Sequence, residues 1–213
     1  MKRLTLTLMA FLLAFTVNAQ TKPAYFDAIK KGLAQMQQDS TSDQYLASSN
    51  YFGRIARAEP KEWLAQYYTA YTTMLIAVLG KQTGDQKDAI YDKAHNCAEV
   101  ADKLKPENSE VAVVMGYIIF MKMAVDPPSR SMTMITQANQ YLDKAATLNP
   151  QNPRAYFVKG QDTFYTPEAF GGGPGAAKSL LQLAKQNYDK ENMNGIEPGW
   201  GKSRCEMLLA QCK

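Results

Sequence analysis

Apolar residues recur at three- and four-residue spacing from Ala24 onward, and no stretch alternates with a period of two. The first spacing puts apolar side chains on one face of an α-helix, whereas alternation would indicate strands. Proline and glycine interrupt the pattern and end helices. Ser131 and Asn152 are the expected N-caps of two helices. The sequence predicts an all-α fold of about nine helices, over residues 24–38, 43–58, 61–79, 85–104, 109–125, 131–148, 153–165, 175–188 and 198–211.

A repeat of 44 residues runs through the middle of the chain. Shifting the sequence by that length superimposes small and apolar residues, a Leu-Pro helix end and a glycine in the next helix. The residues Ala94, Ala98, Ala101, Leu104, Pro106, Ala112 and Gly116 fall on Ala138, Leu142, Ala145, Leu148, Pro150, Tyr156 and Gly160. A third copy, 39 residues further on, contributes Ala177, Leu181 and Ala184. Since small residues let helices approach closely and proline ends a helix, each copy predicts a pair of helices.

This pattern resembles the tetratricopeptide repeat, a helix–turn–helix unit of about 34 residues. The resemblance is strongest from about Asp85 to Tyr188 and extends weakly back to residue 52. Ala112 stands where that repeat usually has an aromatic residue, and Asp189 stands where it has its last proline. The resemblance implies paired helices stacked into one domain over residues 20–213, with the additional residues of each unit in its connections.

Residues 153–190 also resemble the same region of the T component of tripartite ATP-independent periplasmic transporters. Those proteins are tetratricopeptide-like and have a Phe-Gly-Gly loop between paired helices. The matched residues are Phe164, Tyr165, Pro167, Phe170, Gly171, Gly172 and Ala177. The resemblance implies a helical periplasmic binding protein more strongly than a role in transport.

The first 19 residues have the three parts of a secretory signal peptide. Lys2 and Arg3 precede an apolar run from Leu4 to Val17, and the small residue Ala19 marks a cleavage site before Gln20. The run is shorter than the roughly 20 residues that span a bilayer. We therefore expect a mature chain without a membrane span, in a periplasm or outside the cell. The signal resembles those of Bacteroidetes envelope proteins.

The charge balance argues against nucleic acid as a partner. The chain has 24 basic and 20 acidic residues, and its formal charge of +4 falls by two when Lys2 and Arg3 are removed with the signal peptide. A nucleic-acid-binding domain would carry a much stronger basic excess. The hydrophobic fraction of 46% is that of an ordinary globular protein, so packing alone can supply stability.

The three cysteines leave two alternatives open. Cys205 and Cys212 are seven residues apart on one predicted helix, which separates them by about 10.5 Å, too far for a disulfide. Cys97 can pair with either of them in an oxidising compartment. The alternative is that all three are small buried side chains.

No motif in the sequence predicts catalysis, a metal or a cofactor. Residues 172–179 imitate a phosphate-binding loop, but Ala177 stands where the glycine before Lys178 is needed, and no strand precedes the loop. His95 is the single histidine, and zinc sites require several ligands. We expect a non-enzymatic binding or scaffolding module. The alternatives are a hydrolase-like helical periplasmic enzyme, assembled in space around His95, and a small-ligand accessory protein of an envelope transporter.

Aromatic residues are the best candidates for a binding site. In helix-pair repeats the first helix of each unit lines the concave surface. That register predicts an aromatic groove formed by Tyr67, Tyr71, Tyr117, Phe120, Phe157, Gln161 and Phe164, with Phe170 beside it. The alternative is that these residues are core. A protein or peptide is the first expected partner, and a small hydrophobic ligand is the second.

The loop over residues 166–175 contains three consecutive glycines and Phe170. We expect Phe170 to pack inward against Phe164 or Tyr165, because a purely flexible linker has no need of an aromatic side chain. The alternative is a mobile loop with Phe170 half exposed.

Overall fold

A computed structural model describes residues 23–192 and 195–212. The predicted signal peptide and its cleavage site lie outside these residues. Within them the chain forms nine α-helices and no strand, which confirms the all-α prediction. The helices are α1 (Pro23–Met36), α2 (Ser42–Ala58), α3 (Trp63–Leu79), α4 (Gly84–Leu104), α5 (Ser109–Met123), α6 (Pro127–Leu148), α7 (Pro153–Tyr165), α8 (Pro174–Tyr188) and α9 (Lys202–Leu209), with a 3-10 turn at Glu168–Phe170.

The N-cap prediction was correct at Asn152 and wrong at Ser131. The Asn152 side chain accepts a hydrogen bond of 2.9 Å from the backbone N–H of Arg154 and begins α7. Ser131 lies inside α6, which begins at Pro127. Two consecutive prolines are compatible with the first turn of a helix, because their missing N–H groups have no helical partner there.

The helices form an inner and an outer layer. Thirteen of the 17 residues of α3 and 11 of the 15 of α5 are buried, so these helices are apolar on nearly all sides. The outer helices α4 and α6 bury only a stripe of three or four residues each. Each inner helix packs along the outer helix that follows it, and α3, α5 and α7 also contact one another in order. Helices α1 and α2 extend the array at one end and α9 closes the other.

The glycines of the 44-residue repeat allow the paired helices to pack closely. A Cβ added at Gly116 on α5 would lie 3.0 Å from the Ala138 carbonyl oxygen on α6, and one at Gly160 on α7 would lie 2.8 Å from Leu181 on α8. The repeated glycine therefore lets each inner helix touch the backbone or the buried leucine of its outer partner.

A second set of contacts joins α5 to its outer partner α6 and to the start of the next pair. Ser109 donates a hydrogen bond of 2.8 Å to the carbonyl of Ala145, and the Asn152 amide donates one of 2.9 Å to the Ser109 hydroxyl. Asn108 caps α5 as Asn152 caps α7, 44 residues later. The repeat thus sets where each inner helix starts as well as how closely it packs.

The described helices include none that combines the length and apolarity needed to cross a bilayer. All three cysteines are free thiols, with Cys205 and Cys212 buried and Cys97 half-buried. Burial raises the pKa of Cys205 to about 11. A thiol with so high a pKa stays protonated and unreactive at neutral pH.

Candidate ligand-binding groove

The predicted aromatic residues meet along the inner helices, although they differ in depth. Tyr67 and Phe157 are fully buried. Tyr71, Tyr117 and Gln161 are only 5–8% exposed to solvent. The Gln161 amide donates a hydrogen bond of 3.1 Å to the Tyr117 hydroxyl. These two residues are 44 positions apart, so equivalent positions of consecutive inner helices line one surface.

Trp200 fills the deep part of this surface. Its indole ring stacks on Tyr71, with centroids 4.5 Å apart and planes at 18°, and on Tyr117, with centroids 5.7 Å apart and planes at 22°. The indole N–H donates a hydrogen bond of 2.8 Å to the Tyr67 hydroxyl, and the edge of the ring meets Phe157. The core alternative is therefore the better description of Tyr67 and Phe157.

The segment that carries Trp200, residues 195–201, is here called the strap. Tyr68 donates a hydrogen bond of 2.7 Å to the Ile196 carbonyl, and Tyr188 donates one of 3.0 Å to the Trp200 carbonyl. Gly201 has φ of +106°, and a Cβ there would lie 2.2 Å from the Tyr188 hydroxyl. The strap is thus fixed by tyrosines of inner and outer helices and by one glycine that no other residue can replace without strain.

The strap was not anticipated from the sequence. Its run of glycines and a proline around a single tryptophan, Gly-Ile-Glu-Pro-Gly-Trp-Gly, is the one signal that marks it. Because it belongs to no repeat, its position over α3 is not contained in the helical periodicity.

A buried ion network lies at the amino-terminal end of the inner helices. The Arg154 guanidinium, only 3% exposed, donates two hydrogen bonds of 2.8 and 2.9 Å to Glu110 and is paired with Glu191 on its other side. Tyr67 donates a hydrogen bond of 3.4 Å to Glu110. Burial raises the pKa of Glu110, and Arg154 opposes that shift. Glu110 and Arg154 are again 44 residues apart.

A cavity of about 320 Å³ opens beside this network and the start of the strap. Its walls include three carboxylates, those of Glu110, Glu191 and Glu197, and one guanidinium, that of Arg154. Since Arg154 is already paired with two of the carboxylates, the cavity carries a negative charge. It is a poor environment for an anionic apolar ligand.

A second cluster, around Tyr117, is aromatic, and we call it the aromatic face: Tyr45, Tyr71, Tyr117, Tyr165 and Arg204. Tyr165 is 55% exposed and Tyr45 is half-buried. Burial raises the pKa of Tyr117, the hydrogen bond from Gln161 lowers it, and Arg204, Tyr165 and Tyr45 all lie within electrostatic range of its hydroxyl. The face therefore combines tyrosine rings with one guanidinium group.

Phe120, Phe164 and Phe170 occupy three different environments. Phe120 is buried, and Phe164 is half-buried with its ring edge-on to Tyr165, the centroids 5.1 Å apart. Phe170 is 81% exposed, so the prediction that it packs inward was wrong. The loop is instead held by its backbone, because Gly173 donates a hydrogen bond of 2.9 Å to the Thr163 carbonyl and Gly171 donates one to the Glu168 carbonyl.

His95 lies on the outer helix α4, with Nδ1 3.5 Å from a carboxylate oxygen of Glu99. Among the described residues, no group of three or more His, Cys, Asp or Glu side chains is arranged to hold a metal ion. His95 therefore has no partners with which to form a metal site in the part of the chain that the structure describes.

Comparison with known proteins gives one detailed match. No family model matches the chain, and no curated protein matches it. The structure is similar to that of the HusA haemophore from Porphyromonas gingivalis, with a TM-score of 0.78 and 28% sequence identity over 88% of this chain and 92% of that chain. The likeness supports an all-helical binding protein of the exported type. Membership of the tetratricopeptide family and kinship with the transporter T component stay predictions.

Proposed function

We propose that this chain is an exported carrier of a flat, apolar tetrapyrrole such as haem. The observation that supports this most strongly is the similarity to the HusA haemophore, which extends over nearly the whole of both chains at 28% identity. A haemophore is by name a carrier of haem. The predicted signal peptide agrees with a carrier that works in the periplasm or outside the cell.

The aromatic face is the proposed binding surface. Planar apolar ligands stack on tyrosine rings, and such contacts stabilise a complex beyond the burial of area alone. Tyr71 and Tyr117 already stack on the flat indole of Trp200, which indicates that this surface suits planar groups. The acidic cavity beside Arg154 does not suit a ligand that carries carboxylates.

The strap favours a small ligand over the peptide partner. A peptide needs a long open groove, and Trp200 occupies the deep half of this one. The remaining surface, from Tyr71 to Tyr165, suits one planar molecule lying against it. An enzyme with a site assembled around His95 is the alternative class.

Binding is expected to depend on the ring system and not on iron coordination by histidine. The single histidine lies on α4, outside the aromatic face. Burial raises the pKa of Tyr71 and of Tyr117, which disfavours the phenolate form of a tyrosine iron ligand. A tetrapyrrole without a metal should therefore bind about as well as haem.

Titration of the mature chain, residues 20–213, with haemin and with metal-free protoporphyrin IX tests the proposal. We expect saturable one-to-one binding of both, followed by Soret absorbance, with dissociation constants within about tenfold of each other. The variant His95→Ala should bind both ligands like the wild type. Absence of saturable binding, or binding of haemin alone that is lost in His95→Ala, would contradict the proposal.

A further inference from the structure

We propose that Arg204 recognises a carboxylate of the ligand, so that the carrier selects tetrapyrroles with free acid side chains. This inference rests on the function proposed above. Arg204 lies on α9 at the edge of the aromatic face. Its guanidinium lies over the Tyr165 ring, 6.0 Å from the centroid, and donates a hydrogen bond to the Tyr165 hydroxyl.

Among the described residues, Arg204 has hydrogen bonds to Tyr165 and Met207 but no ion pair with a carboxylate. Within the described residues, Lys122, Arg130, Arg154, Lys159, Lys185 and Lys202 are each paired with a carboxylate. The second hydrogen bond of Arg204 goes to the sulfur of Met207, at 3.4 Å, and a thioether is a weak acceptor. A guanidinium has five N–H donors in a planar fork that matches a carboxylate. Donors of Arg204 are therefore available to an anionic ligand.

The charges along the groove orient the ligand. Arg154, at the start of α7, is neutralised by Glu110 and Glu191. The cavity beside it adds the carboxylate of Glu197. An acidic ligand on the tyrosine rings is therefore repelled from the Arg154 end and attracted toward Arg204. The aromatic rings bind the macrocycle, and Arg204 selects its acidic edge.

The test compares two ligands and two proteins. The ligands are protoporphyrin IX and its derivative in which both propionates are converted to neutral, water-soluble amides. We expect the wild type to bind the free acid more tightly than the amide. Arg204→Gln should weaken binding of the free acid by about 10- to 100-fold, the range for a hydrogen bond to a charged group, and leave the amide unchanged. Arg204→Lys should recover part of the loss, because it restores the charge without the fork.

A matched control is Arg54→Gln. The Arg54 guanidinium also lies over a tyrosine ring, 5.5 Å from the centroid of Tyr51, but on α2 and away from the aromatic face. This variant should bind both ligands like the wild type. Thermal unfolding of each variant checks that the fold is intact.

The outcomes separate this inference from the function on which it rests. Equal weakening for acid and amide in Arg204→Gln would mean that Arg204 acts through packing, and unchanged binding would mean that it does not act. Either result overturns the inference and leaves the carrier function standing. Failure of the wild type to bind either ligand would overturn both.

Discussion

Asp162 is a buried acid whose environment disfavours its charge. It lies on α7, is 6% exposed, and its Oδ1 has no hydrogen-bond partner among the described residues. Burial raises the pKa of Asp162 to about 6, although Lys159 acts in the opposite direction. The folded protein therefore holds this proton at pH values where the unfolded chain has released it.

Replacing Asp162 with Asn should stabilise the protein at neutral pH. The pKa of Asp162 is higher in the folded state than in the unfolded state. Its neutral carboxyl therefore contributes its full stabilisation below about pH 4, and this contribution is lost as the pH rises through about 6. The loss in the wild type is on the order of 3 kcal/mol. Asp162→Asn cannot ionise, so the difference in unfolding free energy between variant and wild type should grow from pH 4 to pH 7.5.

Urea unfolding of both proteins at pH 4, 5, 6 and 7.5 measures this difference, since other titrating groups contribute equally to each. Asp27→Asn is a suitable control, because Asp27 is exposed and lies on α1, which is far from α7 in the array. A difference that stays constant with pH would contradict the account of Asp162.

At the scale of single elements, the repeated glycines can be tested directly. Gly160→Ala introduces a Cβ 2.8 Å from Leu181, and we expect it to destabilise the protein by about 1–3 kcal/mol, as overpacked cores do. Gly175→Ala in the first turn of α8 is the matched control, because nothing lies within 4 Å of its Cβ. It should be neutral or stabilise by roughly 0.5 kcal/mol through the unfolded state.

Denaturant midpoints of the two variants provide the measurement. If Gly160→Ala is as stable as Gly175→Ala, the close approach of α7 to α8 is not what the repeat encodes.

The sequence predicted those elements whose partners are close along the chain. The helices follow from apolar spacing and proline, and the Gly160–Leu181 contact follows from a repeat that brings α8 next to α7. The N-cap at Asn152 was predicted correctly, because a cap bonds to the backbone of its own helix and so depends only on the local sequence. The start of α6 was misplaced because Pro127 and Pro128 indicate both a helix end and a first helical turn, and Ser131 four residues later has the chemistry of a cap.

The strap and the loop show where sequence reasoning fails. Trp200 contacts Tyr71 across 129 residues, and no periodicity relates the two. The packing of Trp200 against residues of the predicted groove was not predicted, and the binding role of those residues stays a prediction. The prediction that Phe170 packs inward was wrong, because it assumed that an aromatic side chain holds the loop in place. Backbone hydrogen bonds of Gly171 and Gly173 hold the loop instead.

At the scale of the whole molecule, the strap links the three inner helices α3, α5 and α7. Tyr68 on α3 bonds to the carbonyl of Ile196, and Trp200 contacts α3, α5 and α7 together. Stacked repeats without such a link unfold in parts. We therefore expect the mature chain to unfold as one domain in a single cooperative transition.

The two tryptophans give a direct test of this cooperativity. Trp63 begins α3 and Trp200 lies in the strap, so Trp63→Phe and Trp200→Phe each leave one reporter. Within each variant, the fluorescence transition in urea should coincide with the loss of helical circular dichroism. A Trp200 signal that changes before the helices unfold would show that the strap opens independently.

The central claim, that the aromatic face binds a planar acidic ligand, is tested most directly by a crystal structure of the mature chain with protoporphyrin IX. The account predicts the macrocycle on the aromatic face next to the exposed ring of Tyr165, with one propionate within hydrogen-bond distance of the Arg204 guanidinium. A macrocycle bound in the acidic cavity beside Glu110 and Glu197, or on the outer helices, would contradict it.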